Sequence, residues 1–183
     1  MPAPQRVSTE TLVRAVRRIA ERDGVDAVTM SAVAAAVGVR PPSLYKRAEN
    51  RLALLRLAAD DAAAELTGMI DAVAVSTPDP RTRLVGIAHA LRTFAARSPR
   101  VTTLLFSAEG TGPSTGATAP VMRILLETMT TIAPDDPLSA ARTLTAWAYG
   151  FCTMEQSGAF RQGGDVDTAF AHGLDAVLRG LGA

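Results

Sequence analysis

Cationic and hydroxyl side chains are concentrated in one short stretch of this chain, directly after a glycine. Residues 38–51, GVRPPSLYKRAENR, contain the following cationic or hydroxyl-bearing residues: Arg40, Ser43, Tyr45, Lys46, Arg47 and Arg51. These residue types hydrogen-bond to phosphate oxygens or to the edges of nucleobases. Their spacing favours recognition of a polyanion, and the alternative interpretation is a solvated helix face.

Two short helices are predicted to hold this stretch. Thr29 can cap a first helix, and Gly38 can end it in the left-handed conformation. The apolar face of that helix consists of Met30, Val33, Ala34 and Val37. A second helix is predicted from Pro41 to Arg47 with Leu44 as its core anchor, because proline suits a first helical turn. Two helices joined in this way are typical of a helix-turn-helix, which places its second helix in the major groove of DNA.

The charge of the chain is divided unevenly. Residues 1–56 carry ten Lys or Arg against five Asp or Glu, although the whole chain has a formal net charge of only +1. The remaining residues are therefore acidic overall. A module that binds nucleic acid needs local positive charge, because counterion release supplies much of its affinity. The asymmetry indicates a basic N-terminal module joined to an acidic body.

Composition excludes several classes of protein. The 183 residues are 48% hydrophobic, which is ample for a buried core and excludes global disorder. Cys152 is the only cysteine, so an intramolecular disulfide and a cysteine-based zinc site are excluded, and His89 and His172 lack metal-ligand spacing. We expect no cofactor, no metal and no membrane partner, because no apolar stretch approaches the roughly 20 residues of a membrane helix. With no signal-peptide pattern at the N-terminus, the expected location is the cytoplasm.

Helical periodicity covers nearly the whole chain, and no useful strand alternation appears. We predict an all-α fold of about nine helices, with a three-helix helix-turn-helix domain in residues 1–52 and a helical bundle for ligand binding and dimerisation in residues 53–183. Proline after a capping residue predicts several helix starts: Asp79-Pro80, Ser98-Pro99 and Asp136-Pro137. The polar, glycine-rich residues 107–118 are predicted to form a mobile loop that could cover a ligand entrance.

Two groups of residues resemble the TetR family of one-component transcriptional regulators. In the N-terminal module the matching residues are Gly24, Thr29, residues 33–38, Val39, Leu44, Tyr45, Arg51 and Leu54. Ala48 departs from the family pattern, which usually has phenylalanine there. Further along, Trp147, Gly150 and Glu155 are similar to a family ligand domain of the Trp/His-Gly/Leu-Glu (WHG) type, although Tyr149 replaces its histidine.

The resemblance implies roles for residues of the helix-turn-helix. Residues at positions like Tyr45 and Arg51 hold phosphates, while the turn and the start of the third helix read bases. Arg40 and Ser43 are therefore candidate base readers, since arginine pairs bidentately with guanine. Proline offers only apolar contact, and Lys46 and Arg47 are expected to meet phosphate. The candidate DNA-binding residues are Thr29, Arg40, Pro41, Ser43, Tyr45, Lys46, Arg47 and Arg51.

A two-fold dimer on an inverted-repeat operator is expected, because one such module contacts too few base pairs for high specificity. The last two helices are the predicted dimer contact. Their glycines would let backbones approach closely, and the alternative role of each is ordinary helix packing or capping. These glycines are Gly150, Gly158, Gly173 and Gly180.

The acidic body is predicted to bind a small effector between its helices. The candidate ligand-binding residues are Met69, Leu91, Phe94, Phe106, Met122, Leu126, Trp147, Phe151 and Glu155. The apolar members can equally be core residues. Glu155 needs a partner, either an internal hydrogen bond, which we favour, or a polar group of the effector. With few charges on these faces, the expected effector is mostly apolar.

The sequence therefore predicts a one-component, DNA-binding transcriptional regulator, a repressor released from its operator by the effector. An activator of the same fold is the nearest alternative. A nonspecific DNA-binding protein and a helical enzyme are the others. No paired carboxylate motif, cysteine–histidine pair or phosphate-binding glycine loop supports the enzyme.

Overall fold

The computed structural model describes residues 8–110 and 118–182, and these residues fold entirely as helices and their connections. Within these ranges there are nine α-helices and no strand, so the predicted all-α class is confirmed. The helices are α1 (Thr9–Asp23), α2 (Met30–Ala36), α3 (Pro41–Leu44), α4 (Arg51–Ser76), α5 (Pro80–Arg97), α6 (Pro99–Leu105), α7 (Ala119–Ile132), α8 (Pro137–Gln156) and α9 (Val166–Gly180). A short 3₁₀ turn, Val25–Ala27, connects α1 to α2.

Three of the long helices, α5, α8 and α9, have an aspartate as their N-cap residue. The carboxylate of Asp79 accepts a hydrogen bond from the backbone N–H of Thr82 at 2.7 Å, and that of Asp136 accepts one from Ser139 at 3.0 Å. Asp165 caps α9 in the same manner. Bonds to the capped hydroxyl and backbone groups lower the pKa of all three carboxyl groups, which keeps them charged where the helix dipole favours an anion. The helix starts predicted at Asp-Pro are confirmed.

The described chain divides into two compact units. The first contains the residues up to Ala64 together with the segment from Arg100 to Gly110, and the second contains the remainder, so α4 contributes to both. The expected domain boundary at residues 52 and 53 lies close to the start of α4, whereas the compact units divide twelve residues later, between Ala64 and Glu65. The functional division into two domains stays a prediction.

The first unit is built around α1. Both the 3₁₀ turn and α2 pack against α1, and α2 packs against α3. Its core side chains are aliphatic and almost fully buried; they include Val16, Val33, Leu44, Leu54 and Leu55. After α6, residues 107–110 form a turn in which the Ser107 hydroxyl donates to the Leu104 carbonyl at 2.8 Å. The predicted mobile loop falls mainly on residues 111–117, which lie outside the described residues.

The second unit is a bundle in which α5 and α8 are the central helices. Helix α8 packs against α5, α7 and α9, and α5 also packs against α7 and α9. The largest fully buried side chains of this unit include Leu84, Phe94, Met129, Phe170 and Leu174. None of the described helices combines the length and the hydrophobicity that a membrane span needs.

Candidate functional site

Two short helices and a glycine turn form the helix-turn-helix. Thr29 caps α2, since its hydroxyl oxygen accepts a hydrogen bond from the backbone N–H of Ala32 at 3.1 Å. Gly38 closes the helix with φ of 72°, and the N–H of Val39 donates to the Ala34 carbonyl at 3.0 Å. A left-handed glycine followed by such a bond is a Schellman-type helix end. The predicted start and end of this helix are therefore confirmed.

Helix α3 is shorter than the sequence predicts. It spans only Pro41–Leu44 instead of continuing to Arg47, and turn residues follow it. Because two consecutive prolines supply no N–H groups, the first backbone hydrogen bond of α3 comes from Ser43. The Ser43 N–H bonds to the Arg40 carbonyl, three residues back, at 2.9 Å. The N–H of Arg47 likewise bonds to the Leu44 carbonyl at 2.8 Å. Helix α3 is therefore a single helical turn, and a tight turn with bonds three residues apart lies at each end of it.

The side chains of this segment divide cleanly into an inner and an outer set. Leu44 and Ala48 are buried, with exposed fractions of 1% and 3%. The outer set is exposed and consists of Arg40, Pro41, Ser43, Tyr45, Lys46 and Arg47. Within the described ranges, no ion pair or side-chain hydrogen bond engages the polar members of this set. The short Ala48 side chain, where the resembling family has an aromatic ring, still packs into the core.

Arg51 occupies a different position from the outer set. Its guanidinium Nε donates to the Val28 carbonyl at 2.9 Å, and Nη2 donates to the Val25 carbonyl at 3.0 Å. Two carboxylates, those of Asp26 and Glu109, lie at 3.4 and 3.5 Å. Sequence reasoning identified the cation at the start of α4 but missed all four of these partners.

In the second unit, Glu155 has an internal partner. Arg92, on α5, donates from Nε to one oxygen of Glu155 at 2.9 Å and from Nη2 to the other at 2.6 Å. Asp167, in the first turn of α9, approaches the same Nη2 at 2.7 Å. The two parallel hydrogen bonds to the Glu155 carboxylate raise the pKa of Arg92 above its ordinary value, so the guanidinium stays charged. The internal hydrogen bond favoured for Glu155 is confirmed, whereas Arg92 was missed.

Aromatic rings surround this ion cluster. The guanidinium carbon of Arg92 lies 4.7 Å from the centroid of Phe170 and 5.9 Å from that of Phe151. Phe151 also lies 5.7 Å from Trp147 and 4.8 Å from Phe160 between ring centroids. We call these four rings, Trp147, Phe151, Phe160 and Phe170, the α8–α9 aromatic cluster. Cation–π contact and a carboxylate fork together stabilise a charge that is mostly removed from water.

The other candidate ligand-binding residues are dispersed. Leu91 and Phe94 are buried in the core, with Phe94 fully inaccessible. Met69, Met122 and Leu126 are half-buried. Phe106 is exposed and belongs to the first unit. Of the nine candidates, the described contacts bring together Trp147, Phe151 and Glu155.

The glycines of the last two helices differ in what surrounds them. A Cβ at Gly173 would lie 2.7 Å from Cζ2 of Trp147, so this glycine permits α9 to approach the indole within the same chain. Gly158 has φ of 68° at the end of α8. Capping at Gly158 and intrachain packing at Gly173 fit the alternative role given for these glycines, and their part in a dimer contact stays a prediction. A Cβ at Gly150 or Gly180 would meet nothing within 4 Å.

The lone cysteine has no features of a reactive site. Cys152 is 2% exposed, and burial, reinforced by the nearby Glu155 charge, raises the pKa of its thiol to about 11. A thiol with that pKa is protonated at neutral pH and therefore a poor nucleophile and metal ligand. Across residues 8–110 and 118–182, no group of three or more His, Cys, Asp or Glu side chains is arranged to hold a metal ion.

Two family models match the chain. The model described as "Bacterial regulatory proteins, tetR family" matches residues 12–58, and the model described as "Tetracyclin repressor-like, C-terminal domain" matches residues 84–177. The first covers the helix-turn-helix, and the second covers the bundle with the Arg92 cluster.

Two individual transcriptional regulators and a solved structure are also similar to this chain. The HTH-type transcriptional regulator YobS of Bacillus subtilis (strain 168) is 33% identical over 95 residues, which is 51% of this chain and 48% of that protein. The HTH-type transcriptional regulator Rv0681 of Mycobacterium tuberculosis is 27% identical over 185 residues, covering 96% of this chain and 81% of that protein. The solved structure of a possible TetR family transcriptional regulator from Streptomyces coelicolor A3(2) has a TM-score of 0.76 at 19% identity, covering 95% and 98% of the two chains.

Proposed function

Because the chain belongs to the TetR family of bacterial regulatory proteins, we propose that it is a dimeric repressor released from an inverted-repeat operator by a small, mostly apolar effector. Membership of the family makes it a helix-turn-helix transcriptional regulator. The observation that carries the proposal is the exposed outer set on α3 and its flanking turns, whose polar side chains have no partner within the described chain. A regulator of this kind acts where the chromosome is, so we place it in the cytoplasm.

We assign the outer set according to the chemistry of each side chain. Arg40 precedes α3 and can pair with guanine through two N–H donors, and Ser43 can donate or accept at a base edge. Pro41 has no N–H group and supplies apolar contact. Tyr45, Lys46 and Arg47 follow in the turn and are assigned to phosphates, which fix the register of the protein on the duplex.

The start of α2 completes this assignment. The Thr29 hydroxyl oxygen accepts the capping bond from Ala32, so its own proton remains available to a phosphate oxygen. Thr29, the N-cap, lies at this end of the helix-turn-helix and is assigned a phosphate contact through its exposed position. Such a contact adds affinity for any duplex and carries no sequence information.

The dimer is proposed to form through the outer faces of α8 and α9. Small, exposed residues line these faces: Ala146 and Thr153 on α8, and Ala169 and Ala176 on α9. Gly150 and Gly180 add two positions where open space surrounds the backbone. Small residues let helices of two protomers approach closely, as in a four-helix interface.

The effector is proposed to be apolar because the charged group nearest the aromatic cluster is already paired. Glu155 is engaged by the Arg92 fork, so it is better suited to hold α5 and α8 together than to bind a cation from solution. The candidate contacts that remain are half-buried: Met69, Met122, Leu126, Trp147 and Phe151. Apart from the indole N–H of Trp147, they offer apolar surface. Effector binding would then favour a conformation whose recognition helices no longer fit successive grooves.

The experiment that tests the proposal is an anisotropy titration of labelled DNA from upstream of the protein's own gene. Tyr45→Ala should weaken binding to every duplex about equally. Arg40→Ala should cost about 1 to 3 kcal/mol on the operator and relax the preference at one base pair. Equal losses on operator and random duplex for both variants would contradict the assignment. Deletion of the gene should raise transcription from that promoter, whereas deletion of an activator would lower it.

A further inference from the structure

We propose that Arg51 is a positioning residue that fixes the start of α2, and that it is not a phosphate ligand. This inference rests on the proposed function, since the element that Arg51 positions is the DNA-binding one. The resemblance to the family implied the opposite role for this cation.

Arg51 donates one hydrogen bond to the first residue of the 3₁₀ turn and one to the residue directly after that turn. Val25 is the first residue of the 3₁₀ turn, and Val28 is the residue directly after it. Arg51 donates to both carbonyls, at 3.0 and 2.9 Å. Thr29, the N-cap of α2, follows immediately. One guanidinium therefore fixes the backbone on which α2 begins.

The Val28 carbonyl depends on this donor. In a longer helix the N–H of Ala32 would bond to the carbonyl four residues back, which is Val28. Here that N–H bonds to the Thr29 hydroxyl oxygen at 3.1 Å instead. The first backbone bond of α2 runs from Val33 to the Thr29 carbonyl at 3.0 Å. The Arg51 guanidinium supplies the Val28 carbonyl with a hydrogen bond where the helix itself does not, as the carbonyl of a fully buried residue requires.

The charge of Arg51 is already opposed by protein groups. Asp26 and Glu109 lie at 3.4 and 3.5 Å from its guanidinium, and the arginine side chain is 34% exposed. A phosphate at this position would have to compete with two carboxylates and two carbonyls. A lysine at this position would carry a single ammonium group and would lack the planar fork that bonds two carbonyls at once.

Glu109 comes from a segment that is itself held against α1. The Glu21 carboxylate, on α1, accepts hydrogen bonds from the backbone N–H groups of Arg100 and Val101 at 3.2 and 2.8 Å. The segment from Arg100 to Gly110 is thus fixed by Glu21 at its start and contacts Arg51 near its end. Arg51 therefore joins three separate parts of the sequence: the 3₁₀ turn, the start of α4 and the turn after α6.

The test separates the charge of Arg51 from its hydrogen-bonding geometry by measuring the DNA affinity of two variants and its salt dependence. Arg51→Lys keeps the charge but loses the fork, and Arg51→Met removes both. We expect Arg51→Lys to lose about tenfold in operator affinity, the equivalent of one hydrogen bond, with an unchanged slope of log K against log salt. Arg51→Met should also leave the slope unchanged, whereas the control Lys46→Met should reduce it by about 0.9, the value for one phosphate contact. A reduced slope for Arg51→Met, with full affinity retained by Arg51→Lys, would overturn the proposal.

Two further readouts separate this inference from the proposed function and from simple unfolding. Amide exchange at Ala32 should accelerate in Arg51→Lys but not in the control Arg47→Lys, at equal helix content. In the wild-type protein, the Arg51 Nε–H resonance should be observable and should not shift when operator or random duplex is added. A resonance that moves on either duplex would show phosphate contact and overturn the inference. Failure to find any preferred sequence would refute the proposed function alone, because the two readouts need no operator.

Discussion

Whether an arginine of this protein is available to DNA depends on the acceptors within reach of its guanidinium. Arg40 and Arg47 point away from the core and have no side-chain partner within the described residues, so they are available to a ligand. Arg51 and Arg92 are held by carbonyls or carboxylates at 2.6 to 3.0 Å. The sequence predicts the residue types at these positions, but it contains no information on which acceptor folds next to which cation. This is why Arg40 could be proposed from sequence and Arg92 was missed.

The Arg92 cluster gives a direct prediction on stability. Arg92→Met should lower the free energy of unfolding by about 2 to 3 kcal/mol, because Glu155 loses its fork while it remains mostly removed from water. Arg97→Met is the matched control on the same helix. Its pair with Glu65 is 2.8 Å long but the arginine is 61% exposed, so we expect a loss below about 1 kcal/mol. Urea unfolding followed by circular dichroism measures both, and equal losses would contradict a special role for Arg92.

At the scale of helices, starts are predicted well and short helices poorly. The Asp-Pro starts of α5 and α8 depend on neighbouring residues only, since capping bonds reach three residues along the chain. Helix α3 ends at Leu44 instead of Arg47, and the Arg47 N–H bonds to the Leu44 carbonyl only three residues back. The 3₁₀ turn of Val25–Ala27 was also not predicted, because Arg51 stabilises it from 26 residues away.

The close approach of α8 and α9 can be tested at Gly173. Gly173→Ala places a methyl group against the Trp147 indole and should cost about 1 to 3 kcal/mol through overpacking. Gly68→Ala is the matched control, because Gly68 lies inside α4 with nothing within 4 Å of an added Cβ. It should gain up to about 1 kcal/mol from helix propensity. The fluorescence of Trp147, the only tryptophan, reports unfolding in both variants. A loss at Gly68 as large as that at Gly173 would contradict the packing argument.

At the scale of the whole molecule, the sequence predicted the class of protein because charge asymmetry and helical period are properties of long segments. The effector site was not predictable in this way. Leu91 and Phe94 have the same residue types and spacing as pocket-lining residues, but the structure buries them in the core. Phe106 belongs to the first unit. Periodicity identifies the inner face of a helix, and it does not distinguish a packed interior from a cavity.

The proposed dimer makes a prediction of its own. Gly150→Glu adds a charge where the single chain has room for it, so the fold should persist while the two-protomer contact is lost. Sedimentation should then change from dimer to monomer. Gly68→Glu, which adds the same charge to an exposed face of α4, should remain dimeric. A dimer that survives Gly150→Glu would place the interface elsewhere.

The central claim is that the outer set of α3 reads a specific DNA sequence, and competition binding of the wild-type protein tests it most directly. A labelled duplex from upstream of the protein's own gene is bound at moderate salt and challenged with unlabelled self or scrambled competitor. We predict one protein dimer per inverted repeat and a preference of roughly 4 to 10 kcal/mol over the scrambled duplex. Equal competition by both duplexes would contradict the claim and indicate a nonspecific DNA-binding protein.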